Sequence, residues 1–134
     1  MELRIANKND EDFVKRVFAE NKNILGNYYF DWIGYINSTK ATNCFYIAEG
    51  IGILHIKFSS KQKAYIIQTI AILKEQKRKG YASDMIKLLP RPIFLKTDYD
   101  NEESNSFYRA IGFIAVGNSI SKNGKKKFTN YMLL

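Results

Sequence analysis

Residues 64–89 read AYIIQTIAILKEQKRKGYASDMIKLL, and this run decides the fold. It opens on residues 66–73, an apolar and β-branched stretch with the length and composition of a strand buried on both faces. A cationic turn follows, with Lys77, Arg78 and Lys79 directly before Gly80. Ala82, Met85, Ile86 and Leu89 then recur at i, i+3, i+4 and i+7, the spacing of one buried helix stripe. Strand, basic glycine turn and helix start aim unpaired backbone N–H groups and the positive end of a helix dipole at one point. That point suits an anion, above all a phosphate or diphosphate. Gly80 permits close backbone approach and Ala82 is small enough to keep it open. A solvated turn is the competing reading of the same residues. Neither GxxxxGK followed by Ser or Thr nor GxGxxG occurs, which excludes a nucleotide P-loop and a dinucleotide fold.

The chain has 134 residues, of which 46% are hydrophobic, enough for one globular domain over residues 1–134 with a core of its own. No run is long enough to span a bilayer, so no membrane partner is expected. The start, MELRIANKNDED, is polar and acidic and does not resemble a signal peptide. The single cysteine, Cys44, has no partner for an internal disulfide, and a cytoplasmic protein is expected. The net charge of +8 gathers at residues 74–79 and 122–127. It suits a nucleic acid, an anionic membrane or a polyphosphate ligand. The second cluster reads as a solvated hairpin.

In chain order, residues 3–6 form a short strand. Asn9 is the expected N-cap of a helix whose first turn holds Asp10, Glu11 and Asp12 and whose apolar face is Phe13, Val14, Val17 and Phe18. An aromatic helix is expected over residues 29–36, and a polar link over 37–43. Strands over 44–48 and 52–58 pair around Glu49-Gly50. Pro90 and Pro92 end the helix after Gly80, and residues 93–96 form a strand. Asp100 and Glu103 have capping-box spacing before a stripe of Ser104, Phe107, Tyr108 and Ile111, with Gly112 at the expected left-handed C-cap. Residues 113–118 and 126–133 make a hairpin around Asn123-Gly124. The order β, α, α, β, β, β, α, β, α, β, β describes an α/β (α+β) fold. Its sheet is mixed, mostly antiparallel and six- to seven-stranded, with helices on both faces.

Two segments resemble the GNAT superfamily of N-acetyltransferases. Lys77, Gly80 and Ala82 resemble its acyl-CoA diphosphate loop, Q/R-x-x-G-x-G/A, with Lys in place of the first Gln or Arg. Asn101, Ser104, Phe107, Tyr108, Gly112 and Phe113 follow its C-terminal pattern, N-x-x-A/S-x-x-F/L-Y-x-x-x-G-F, about twenty residues further on. The order of elements also agrees along nearly the whole chain.

The resemblance implies a GNAT-like fold and transfer of an acetyl group from acetyl-CoA to an amine, by a monomer or homodimer. It implies that Ile70, Ala71 and Ile72 offer backbone groups to the pantetheine arm. An N–H there would polarise the thioester carbonyl. Lys77, Arg78, Lys79, Gly80, Tyr81, Ala82 and Ser83 would take the diphosphate. Tyr108 would donate a proton to the departing thiolate, a phenol of ordinary pKa near 10 being protonated at neutral pH. Its other reading is a half-buried aromatic of a helix stripe. Asn101 would hold the loop or touch the pantetheine, or else simply start the helix. Ser104 and Phe107 belong to the same cofactor-binding helix.

Residues 64–73 contain no carboxylate to serve as the general base, and Gln68 cannot take a proton. His55 has a suitable intrinsic pKa, but it alternates onto the side of Lys57, where a surface or hydrogen-bonded histidine is the plainer reading. Glu49 is a weaker choice. Tyr28, Tyr29, Phe30 and Trp32 form an aromatic wall or simply core, and Tyr28 and Asp31 are the expected acceptor contacts. A non-catalytic acyl-CoA sensor is the alternative function, motivated by the missing carboxylate. A nucleic-acid-binding domain ranks last, because no RNP-like strand or zinc-finger spacing is present.

Overall fold

The computed structural model describes residues 1–38 and 42–134. The expected polar link over 37–43 therefore lies partly outside the described residues. Seven strands are ordered β1-β2-β3-β4-β5-β7-β6. They are β1 (Arg4–Ile5), β2 (Asn43–Ala48), β3 (Gly52–Ser59), β4 (Ala64–Ile72), β5 (Ile93–Asp98), β6 (Ile114–Ile120) and β7 (Lys127–Leu133). β1–β2, β2–β3, β5–β7 and β6–β7 are antiparallel, and β4–β5 is parallel, with Tyr65 opposite Ile93 and Ile66 opposite Phe94. This is the mixed, mostly antiparallel sheet read from the sequence, with an open edge at β6. Five helices accompany it: α1 (Glu11–Glu20), α2 (Lys22–Leu25), α3 (Trp32–Asn37), α4 (Tyr81–Lys87) and α5 (Glu102–Ala110).

The chain forms two compact units. The first is Met1–Lys57 with Ile67–Leu89, the second Phe58–Ile66 with Pro90–Leu134. In the first, Val14, Val17 and Phe18 of α1 pack with Trp32, Phe45, Ile47, Ile53, Ala71 and Leu73. Gly52 is required at the start of β3, since a Cβ there would collide with the Ala71 carbonyl and the Ile72 side chain. In the second unit Ile93, Leu95, Phe113, Tyr131 and Leu133 are buried.

Several local expectations are corrected. Asn7, not Asn9, supplies the first cap. Its side chain accepts from the Asn9 N–H at 2.8 Å, while Asp10 accepts from the Asn7 N–H at 2.7 Å, closing a capping box on a short 3-10 turn before α1. The aromatic helix begins at Trp32 rather than residue 29, because Asp31 caps it from Gly34. α5 starts one residue later than expected, with Asn101 and not Asp100 as its cap. α2 has four residues, too few to show a helical period. β4 is not buried on both faces throughout: Gln68 is exposed, and Ile66, Thr69 and Ile70 are half-buried.

Candidate functional site

In the first unit, β4 delivers the chain into the basic turn. The Leu73 N–H still donates to the Ile51 carbonyl at 2.8 Å, and a 3-10 turn over Lys74–Gln76 follows. Lys77 is extended, Arg78 has φ 65° and Gly80 has φ 83°, after which α4 begins. A left-handed residue followed by right-handed helix makes neighbouring N–H groups converge into an anion-binding nest. The Asp84 N–H closes the first turn onto the Gly80 carbonyl at 3.0 Å. Gly80 has no side chain to cap the helix, and the N–H groups of Tyr81, Ala82 and Ser83 find no acceptor among the described residues. A Cβ on Gly80 would meet nothing within 4 Å, so the space before the helix is open.

Lys77, Arg78 and Lys79 are exposed, and among the described residues none pairs with a carboxylate. The Lys79 ammonium donates only to Gln76 Oε1, at 3.3 Å. Unspent cations, open space and free N–H groups are the donor set a diphosphate needs.

The turn is tied to the end of α1 by contacts the sequence reading missed. The Lys74 N–H donates to Glu20 Oε1 at 2.7 Å. Arg16 spans Glu20 at 3.2 Å and Glu75 at 3.0 Å. The buried Asn21 amide donates to the carbonyls of Val17 at 2.9 Å and Ile72 at 3.1 Å. Of the three β4 residues expected to offer backbone groups, Ile72 thus has its carbonyl occupied, and the Ala71 carbonyl lies against Gly52. Strand alternation puts the N–H and C=O of Ile70 on the edge away from β3.

In the second unit, α5 carries the remaining motif residues. Asn101 Oδ1 accepts from the Ser104 N–H at 3.1 Å, so its side chain serves the helix start. Tyr108 lies among Phe107 at 5.2 Å, Phe113 at 5.4 Å and Tyr131 at 6.3 Å between ring centroids. Its hydroxyl has no hydrogen-bond partner among the described residues, and burial pushes its pKa up to about 12. The neighbouring Tyr131 hydroxyl is fully engaged, donating to Asn105 Oδ1 at 2.7 Å and accepting from Arg109 at 3.1 Å. Asn105 is the buried residue of α5. Its oxygen also accepts from the Thr97 hydroxyl at 2.6 Å, and its nitrogen donates to the carbonyls of Asp98 at 3.1 Å and Asn101 at 2.8 Å. Sequence reading missed it, because a polar residue beside an apolar stripe looks solvated.

The expected acceptor residues are engaged in the structure of the first unit. The Tyr28 hydroxyl donates to Glu11 Oε2 at 2.8 Å, and burial followed by that carboxylate holds its pKa well above the usual phenol. Asp31 caps α3. Phe30 is a hub, with Phe18, Trp32, Phe45 and His55 within 6.4 Å between centroids. The aromatic wall is therefore core, apart from Tyr29, which is 75% exposed and stacked on Phe30 at 4.7 Å.

His55 is buried, stacked on Phe45 at 5.2 Å, with Nε2 2.8 Å from Asn43 Oδ1. That amide oxygen can only accept, which assigns the proton to Nε2. Desolvation, then Lys57, lowers the His55 pKa to about 4, so the ring is neutral. Glu49 is held by Arg4 at 2.7 Å. Among the described residues no three His, Cys, Asp or Glu side chains gather to hold a metal ion, and no helix is long and apolar enough to cross a membrane.

Taken together, the sheet order and the helices define the fold of the GNAT N-acetyltransferases. Solved structures of N-acetyltransferases resemble the chain. A chimera of the Vibrio cholerae spermidine N-acetyltransferase SpeG and hSSAT matches with a TM-score of 0.77 at 17% identity, over 99% of this chain and 95% of that one. Arabidopsis thaliana NAA60, in complex with a bisubstrate analogue, matches with a TM-score of 0.71 at 13% identity, over 98% and 96%. The Escherichia coli ribosomal-protein-S18-alanine N-acetyltransferase matches with a TM-score of 0.70 at 9% identity, over 98% and 92%. No protein-family model and no curated protein matches the sequence.

Proposed function

We propose that the chain is an acetyl-CoA-dependent N-acetyltransferase, one domain over residues 1–134, acting in the cytoplasm on an amine acceptor. The observation that carries this reading is the fold, shared along at least 98% of the chain with enzymes that acetylate amines. Bound acetyl-CoA would supply an acetyl group activated as a thioester. Lys77, Arg78 and Lys79, with the N–H groups opening α4, would hold its diphosphate. Ile70 and the N–H of Ile72 would hold the amide-bearing arm by strand-like pairing. Tyr108 keeps its proton at Oη across the neutral range and has it free to donate to a departing anion, whereas the hydroxyls of Tyr28 and Tyr131 are committed inside the protein.

No side chain of β4 can act as a base, and His55 is neutral and bound to Asn43. The acceptor would therefore enter with its amine already deprotonated or lose its proton to water, and positioning would supply most of the rate. The same observation favours the second reading, a non-catalytic acyl-CoA sensor. Calorimetric titration with acetyl-CoA, followed by a free-thiol assay with a panel of amines, separates the two. Saturable binding with steady thiol release is expected. Binding without release selects the sensor, and absence of binding at millimolar acetyl-CoA removes both.

A further inference from the structure

Five charged side chains of the second unit that acetyl transfer leaves unused line one cavity of about 370 Å3. Asp98, Tyr99 and Asp100 line it from the end of β5 and the loop beyond, and Lys125, Lys126 and Lys127 from the β6–β7 hairpin. Here, among the described residues, neither carboxylate forms an ion pair with any of the three lysines.

Backbone hydrogen bonds hold both walls. On the acidic wall, Asn105 grips the carbonyls of Asp98 and Asn101. On the basic wall, the Lys125 N–H is tied to Asn123 Oδ1 at 2.9 Å and the Lys126 N–H to Ser121 Oγ at 3.1 Å. Between the walls, the Tyr99 N–H donates to the Lys127 carbonyl at 2.9 Å, and the Lys127 ammonium rests 4.2 Å from the centre of the Tyr99 ring. Among the described residues, the two carboxylates and the ammonium groups of Lys125 and Lys126 are left around the hollow without ion-pair partners.

We propose that this cavity binds a small zwitterionic amine, an acidic α-amino acid in its simplest form. Its ammonium lies with Asp98 and Asp100, and its carboxylates with Lys125 and Lys126. The volume falls at the small end of ligand pockets, which start at about 300 Å3. The three lysines, on a chain of net charge +8, set like charge against a polyamine and so select against it. The inference rests on the acetyl-transfer reading only in making this ligand the acceptor.

The test is calorimetric titration of the full chain with L-glutamate in the absence of acetyl-CoA. Saturable binding is expected, weakened at least ten-fold in D98N/D100N and, separately, in K125Q/K126Q, with no saturable binding of spermidine. Amide shift mapping on the unmodified protein should place the perturbations at residues 98–100 and 125–127. No glutamate binding, binding by either variant as tight as by the unmodified chain, perturbations elsewhere, or displacement of glutamate by spermidine overturns the proposal. A separate acetyl-CoA titration keeps the two ideas apart. If acetyl-CoA fails to bind, the transfer reading falls while the glutamate isotherm still reports on the cavity. If acetyl-CoA binds and glutamate does not, only the cavity proposal falls.

Discussion

α4 and α5 begin in opposite ways. α5 is closed by its own sequence: Asn101 caps the Ser104 N–H, and Glu102 and Glu103 set negative charge in the first turn, where the helix dipole favours it. α4 starts at a glycine that offers no side-chain cap and has one acid, Asp84, in its first turn, behind three cations that pair with no carboxylate among the described residues. The same contrast separates two tyrosines of the second unit, since the Tyr131 hydroxyl is spent on Asn105 and the Tyr108 hydroxyl is not. A polar group satisfied inside the protein contributes to stability. One left open in a folded domain points to a partner that comes from outside.

The largest effect that would test this contrast is at the tyrosines. Y108F is expected to lower kcat about 100-fold with KM for acetyl-CoA nearly unchanged. Y131F should leave kcat within a few-fold and cost about 1 to 2 kcal/mol in denaturant unfolding. Equal kinetic losses in the two variants would erase the distinction. Next comes G80V. A β-branched residue is strained at φ 83°, and its side chain would fill the open space before α4. Affinity for acetyl-CoA should fall at least 30-fold by calorimetry while the domain stays folded by circular dichroism.

A third prediction concerns pH. His55 has a folded pKa of about 4 against the usual 6.5 of a solvated histidine, so the unfolded chain binds its proton first on acidification. Its contribution is therefore fully present above pH 6.5 and is lost as pH falls towards 4. This amounts to about 3 kcal/mol between pH 7 and pH 4 in urea unfolding, and it should vanish in H55Q. The smallest effect is N101A, expected to cost about 1 kcal/mol of stability with acetyl-CoA affinity intact. A larger effect on affinity than on stability would make Asn101 a ligand contact.

The long periodic elements were legible in the sequence. β4, α4 and the two hairpins lie within a few residues of their expected bounds, because burial imposes their periods. Caps were not, since Asn7 and Asn101 are chosen over Asn9 and Asp100 by backbone dihedrals that composition does not encode. The basic glycine turn before α4 was legible as a motif, and so was the place of Tyr108 on α5. The freedom of its hydroxyl was not, because that depends on Asn105, Thr97 and Arg109 satisfying Tyr131 and one another. The engagement of Tyr28 with Glu11 and of Asp31 with Gly34 was not legible, because a side chain's choice of neighbour is a tertiary matter.

Asn21, Glu20 and Arg16 moor the basic turn to the last winding of α1, more than fifty positions earlier in the chain. Fraying there would let the turn drift, and an anion that steadies the turn would slow that fraying. Amide exchange at residues 18–21 would therefore gauge, from a distance, whether an anion occupies the proposed site, without altering the groups proposed to hold it.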